Sequence, residues 1–156
     1  MKPYLFGIRG VVCRSGKQVF GTMVSYFAGV LFATVAVAQI PISSIEDLQK
    51  IGNDPEYPLS GHYVLTQDID ASGTAVWNDG KGFEPIGDAV SNPFSAFTGI
   101  LDGQGYTISD LVISRPDEDN VGLFRLVGSG ADIRNLGLVG ASVQGNNYVG
   151  GLVGMN

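Results

Sequence analysis

Ile108-Ser109-Asp110-Leu111-Val112-Ile113 is answered further along by Ile133-Arg134-Asn135-Leu136-Gly137-Leu138, and both read Ile-x-(Asp or Asn)-Leu-x-(Ile or Leu). Glycine–apolar steps accompany them: Gly99-Ile100-Leu101, Gly122-Leu123-Phe124 and Gly151-Leu152-Val153-Gly154. Short apolar runs recurring every two to three dozen residues, cut by Gly and Asn, are the mark of a solenoid. Strands so spaced can stack in parallel, about 4.8 Å apart, with Gly and Asn at corners where φ turns positive. The spacing predicts an all-β fold, a right-handed parallel β-helix of roughly four coils between Gly61 and Asn156. An antiparallel sandwich is the rival, because closely spaced turns suit it too. The register that aligns Ile108 with Ile133 decides against it.

Upstream, Tyr63-Val64-Leu65-Thr66 is another β-type run, ending in Asp68-Ile69-Asp70. Before it, Ile45, Leu48 and Ile51 recur at helical spacing and Gly52 closes the run. Ser43 with Glu46 forms a capping box, and Ser44 with Asp47 offers a second register. So short a helix must lie on something, and it is placed as a cap on the first coil. Residues 1–20 are basic and free of acid, and an apolar run follows that ends in Ala36-Val37-Ala38. Small side chains at those positions predict a signal peptide cleaved after Ala38. The alternative is an uncleaved membrane anchor, since Phe20–Ala38 nearly reaches spanning length. The chain thus divides into a signal peptide over 1–38, a capping helix and linker over 39–60, and a repeat region over 61–156.

Composition narrows the function further. The 156 residues carry a net charge of −6, but all four basic residues of the leader leave with it. From Gln39 onward 5 basic face 15 acidic residues, a net of −10. Such a chain has no basic stripe with which to hold nucleic acid. Cys13, the single cysteine, lies in the leader, which excludes a disulfide framework and a cysteine zinc site. The one histidine, His62, makes no zinc site alone and is expected at a strand start facing water.

Asp68, Asp70 and Asp102 are the carboxylates with catalytic potential, since β-helices that cleave polysaccharides assemble acid and base from adjacent coils. The competing reading makes Asp102-Gly103 a turn and lets Asp68 and Asp70 end a strand through local backbone hydrogen bonds. No basic cluster for a sugar accompanies them in sequence, so the turn reading is preferred. No cofactor is expected. Calcium is the one ion their hard oxygens would suit, yet the Gly-Gly-x-Gly-x-Asp nonapeptide is absent. Trp77, Phe83 and Phe94 stand in a Gly/Pro-rich insertion, to pack on the flank of a coil or to stack on a sugar. Asp117-Glu118-Asp119 reads as a solvated acidic corner.

Gly151-Leu152-Val153-Gly154 resembles the tetrapeptide that names the GLUG-repeat proteins, and Gly122-Leu123-Phe124 resembles a variant of it. The run from Gly61-x-Tyr63 through Gly82-Phe83-x-Pro85-Ile86-Gly87 to Leu101-Asp102-Gly103-x-Gly105 is similar to the stretch preceding such repeats. The resemblance covers about Ile42 to Gly154. It implies a secreted or surface β-helical protein of bacteria, adhesin-like, with a repeat region that also occurs in IgA-specific metallo-endopeptidases. The chain departs from the pattern by stopping two residues after one good motif, on a rung without a polar cap. That rung is expected to continue into further chain or to dock on a partner, the repeat array being truncated. The expectation is a non-catalytic scaffold or adhesion module, exported to the cell surface, outer membrane or medium. It would recognise a host or neighbouring-cell protein or glycan. The alternatives are a carbohydrate-active enzyme and the non-catalytic front end of a secreted metallo-endopeptidase.

Overall fold

The computed structural model describes residues 38–89 and 95–156. The expected leader up to residue 37, with Cys13, lies outside the described residues, as does Phe94. The described chain has strand as its commonest regular structure, and helix is scarce. Its elements run β1 (Ile40–Ile42), α1 (Ile45–Lys50), β2 (His62–Leu65), β3 (Ile69–Asp70), β4 (Ile100–Asp102), β5 (Thr107–Ser109) and β6 (Val112–Ser114). They continue as β7 (Phe124–Leu126), β8 (Asp132–Arg134), β9 (Gly137–Val139), β10 (Ser142–Gln144) and β11 (Val153–Met155). Among the described residues no helix is long and apolar enough to cross a membrane.

Every pair of these strands is parallel, which disposes of the antiparallel sandwich. The sheets are ordered β1-β2-β4-β8, β3-β5-β9, β6-β10 and β7-β11. Each neighbour in a sheet comes from the next level of chain, as the orders show. Among the described residues between Gly61 and Asn156 there are three such levels where roughly four coils are expected, and β1 adds a partial one below β2. The ladder therefore begins at Ile40, ahead of the boundary expected at Gly61.

The register differs from the one expected. Ile108 pairs with Leu138 rather than lining up with Ile133, and Ile133 pairs with Leu101. The repeated hexapeptide instead marks one kind of corner used twice. Ile108–Ile113 spans β5 and β6 around Asp110 (φ 55°), and Ile133–Leu138 spans β8 and β9 around Asn135 (φ 52°). Asp and Asn tolerate the left-handed region better than most residues, hence their place in the motif. The later glycine steps hold a true register, since Phe124 pairs with Val153.

Apolar columns fill the interior. Ile40, Tyr63, Leu101 and Ile133 lie one above another, and so do Ile69, Ile108 and Leu138. Aromatic rings cross between them: Tyr63 lies 6.2 Å from Phe97, and Phe97 lies 4.8 Å from Phe124. Such tilted pairs favour the ring quadrupoles as well as burial. α1 closes the lower end, burying Ile45, Leu48 and Ile51. Its N-cap is Ser44, whose hydroxyl accepts from Asp47 N at 3.2 Å, so the second capping register is the one used. Asp47 in turn accepts from Ser43 N and Oγ.

The upper level is different. Its inward residues Ile133, Leu138 and Val143 are half-buried, whereas Leu101, Ile108 and Ile113 beneath them are sealed. In the described chain β8, β9, β10 and β11 are all edge strands.

Candidate functional site

Asp68, Asp70 and Asp102 do not form one cluster. Asp102 ends β4 and is buried; its Oδ1 accepts from Gln104 N at 3.0 Å and from Asn135 Nδ2 at 3.1 Å. Its Oδ2 takes Arg134 Nε at 2.9 Å from the level above. The Gln104 backbone bond, with help from Asn135 and Arg134, holds its carboxyl down at about 2. A group so tied joins two levels and is poorly placed to exchange protons near neutrality.

Asp68 and Asp70 flank Ile69 on the exposed side of β3. Asp68 Oδ1 accepts from Thr107 N (2.8 Å) and Oγ1 (3.1 Å), a bond between levels rather than a local one. Asp70 Oδ1 accepts from Ser72 N at 2.9 Å, and bonding to Ser72 holds its carboxyl below the usual range. Both border a hollow of about 330 Å³ together with Ser43, Glu46 and Trp77. Among the described residues no group of three or more His, Cys, Asp or Glu is placed to hold a metal ion. His62 opens β2 and is half-buried, paired with Ile100.

Trp77 is positioned by its neighbours. A 3₁₀ turn over Ser72–Val76 ends where Trp77 N donates to Thr74 O, and Thr74 is itself fully buried. The Thr74 hydroxyl donates to Ala71 O and accepts from Val112 N, anchoring the turn to β6. The indole stacks on buried Phe83, with centroids 6.5 Å apart. It is only half-buried and borders a second hollow of about 470 Å³, lined also by Gln49, Asn53, Asn78 and Glu84. Asn78 and Asp79 follow in consecutive left-handed conformations, turning the chain sharply back towards Phe83.

Sequence reading missed a charged box. Arg115 and Arg125 are buried, although nothing in their local sequence sets them apart. Glu84 Oε2 lies 2.5 Å from Arg115 Nη2, and Glu84 Oε1 lies 3.2 Å from Arg125 Nη2. Glu118 bridges the same two guanidinium groups at 2.9 and 2.8 Å. Burial pushes the Glu118 carboxyl up, but hydrogen bonds from Arg125 and Arg115 outweigh it and keep it below its usual range. The acidic corner is thus no merely solvated loop. Asp119 Oδ1 also accepts from Asn146 Nδ2, Asn147 N and Asn147 Nδ2, joining two levels. α1 reaches this box through Gln49, which exchanges two hydrogen bonds with the Glu84 backbone. A cleft of about 680 Å³ lies beside it, bordered by Glu84, Glu118 and Arg125.

The tetrapeptide residues carry packing. Leu123 and Phe124 are fully buried, and Leu123 N and Phe124 N donate to Gly151 O and Leu152 O above them. Leu152 and Val153 are half-buried over them. A Cβ on Gly122 would lie 2.7 Å from Gly150 O and 2.9 Å from Gly154 N. One on Gly154 would lie 2.4 Å from the Asn120 carbonyl carbon. The two glycines let facing backbones approach each other.

No family model matches the chain, and no solved structure matches it. Halomucin of Haloquadratum walsbyi is 48% identical over 115 residues, covering 72% of this chain and 1% of that protein. A protein of Evansella cellulosilytica named as a Gly-rich membrane protein is 38% identical over 117 residues, covering 72% of this chain and 13% of that protein. The chain spans a small fraction of the length of these relatives.

Proposed function

We propose that this chain is a non-catalytic surface module: a right-handed parallel β-helix of the GLUG-repeat type, exported, and acting in scaffolding or adhesion. The observation that carries the reading is the parallel pairing of each level with the next, seen in all four sheets. Such stacking gives an extended, repetitive outer surface, suited to recognition over an area rather than to a deep reaction centre. Similarity to Halomucin and to a Gly-rich membrane protein supports a surface or membrane-associated setting. The engagement of Asp102 by Arg134 and Gln104 speaks against acid–base catalysis there. The half-buried apolar residues Ile133, Leu138 and Val143 of the upper level offer a partner protein a surface to cover. Partners on the outer face would be host or neighbouring-cell proteins or glycans.

Two measurements test this together. The native product is recovered from medium and cell envelope, and its mass is determined. A product found only in the cytoplasm overturns the export reading. Purified 39–156 is then offered to cells of candidate partners and, separately, to polysaccharides. Saturable cell binding without sugar release is expected. Polysaccharide turnover abolished by Asp68→Ala or Asp70→Ala would replace the module with an enzyme.

A further inference from the structure

Trp77 stands between two hollows, and both lie along α1. Glu46 borders one and Gln49 the other, three positions apart and therefore on one side of the helix. The run that carries Asp68 and Asp70 lines the first, and Asn78 and Glu84 border the second. Together they make a polar furrow with one half-exposed indole at its middle.

Three properties narrow what would lie in it. The described residues around the two hollows include Glu46, Asp68 and Asp70 but no Lys or Arg, and Glu84, the remaining carboxylate, is already paired with Arg115 and Arg125, so the furrow carries net negative charge and polyanions are repelled. The rim offers donors as well as acceptors. Gln67, Asn53 and Asn78 each direct one amide N–H to a backbone carbonyl, Ser43 O, Gln49 O and Gly82 O respectively. Those bonds fix the amides' orientation and leave each a second N–H and a carbonyl oxygen. A lysine-rich peptide would use only the acceptors, whereas a sugar hydroxyl uses both. Finally, the indole stacks on buried Phe83 and the Trp77 backbone N–H is tied to Thr74 O, so the residue is ordered before any ligand arrives.

We infer that the furrow around Trp77 binds a neutral saccharide chain, one ring lying on the indole and its hydroxyls meeting the carboxylates and amides on either side. The inference rests on the surface-module reading and names the class of partner for it. No covalent step is involved.

Trp77 is the only tryptophan in the chain, so its emission reports on this site alone. Purified 39–156 is applied to an array of neutral and anionic glycans, and those captured are titrated against tryptophan emission and by calorimetry. Binding of at least one neutral glycan with a saturable emission change is expected. Trp77→Ala should weaken it by about tenfold, the worth of one aromatic contact, and Trp77→Phe by less. Should circular dichroism show Trp77→Ala misfolded, Glu46→Gln and Asn53→Ala on the helix side serve instead, with a several-fold loss expected. Capture of anionic glycans only, binding of a polylysine peptide but no neutral glycan, no capture at all, or affinity unchanged in the variants overturns the inference. Cell binding is measured in parallel. Wild-type protein that binds cells while the glycan arm fails leaves the surface-module reading standing, and failure of both removes it as well.

Discussion

Gly122 and Gly154 sit where two levels of backbone nearly touch, and side-chain atoms have no room there. Gly122→Ala and Gly154→Ala should each cost about 1–3 kcal/mol, as overpacking does. Gly73 is the control, because a Cβ there would meet nothing within 4 Å. Urea midpoints should fall for the first two and stay near the parent for Gly73→Ala. Asp102 makes a pH prediction. Its folded-state carboxyl titrates at about 2 against an ordinary 3.8, so folding favours the ionised form. The stability this contributes is complete above the ordinary value and is lost as pH falls through about 2. Asp102→Asn should therefore flatten the acid limb of a stability–pH curve within that window, read from thermal midpoints.

At the scale of elements, α1 and the charged box carry the sharpest expectations. Leu48 is fully buried where α1 covers the first level, and Leu48→Ala should cost about 2–5 kcal/mol. Ser44→Ala removes the cap from Asp47 N and should cost about 1 kcal/mol. Glu118→Gln leaves Glu84 as the one carboxylate paired with Arg115 and Arg125, at an expected cost of about 1.5–3 kcal/mol in chemical denaturation. α1 was legible because its apolar spacing and its stop at Gly52 (φ 83°) are local signals. The box was not. Glu84 lies on an earlier turn of chain than Arg115 and Arg125, and only the pairing of levels brings them together. The corners misled the register for a related reason. Asp110 and Asn135 answer the same local demand for a left-handed turn, so equal spelling marked equal geometry at different places in the coil. Trp77 was visible as a residue, but its support by Thr74 depends on a bond to Val112 that no short-range pattern records.

For the whole described molecule, burial falls from one end to the other. In the 156-residue chain the amides of β8, β9 and β10 should exchange with solvent faster than those of β4 and β5, whose levels are covered on both sides. Mass-resolved hydrogen exchange would show that gradient, and uniform protection would contradict it. Parallel pairing also has a kinetic meaning. Among the paired strands the shortest excursion of chain runs from Ile40 to Tyr63 and the longest from Ile69 to Ile108, less than twice as far. Each new turn of chain closes a loop of that size onto a template already formed, and loop entropy grows only slowly within that range. Folding can thus advance in the order of synthesis, from the helix-closed end outward. A polypeptide of the same pattern many times longer would keep these separations unchanged, and its relative contact order would fall as it grew. Length would then add mass and reach without lengthening the search for each successive partner.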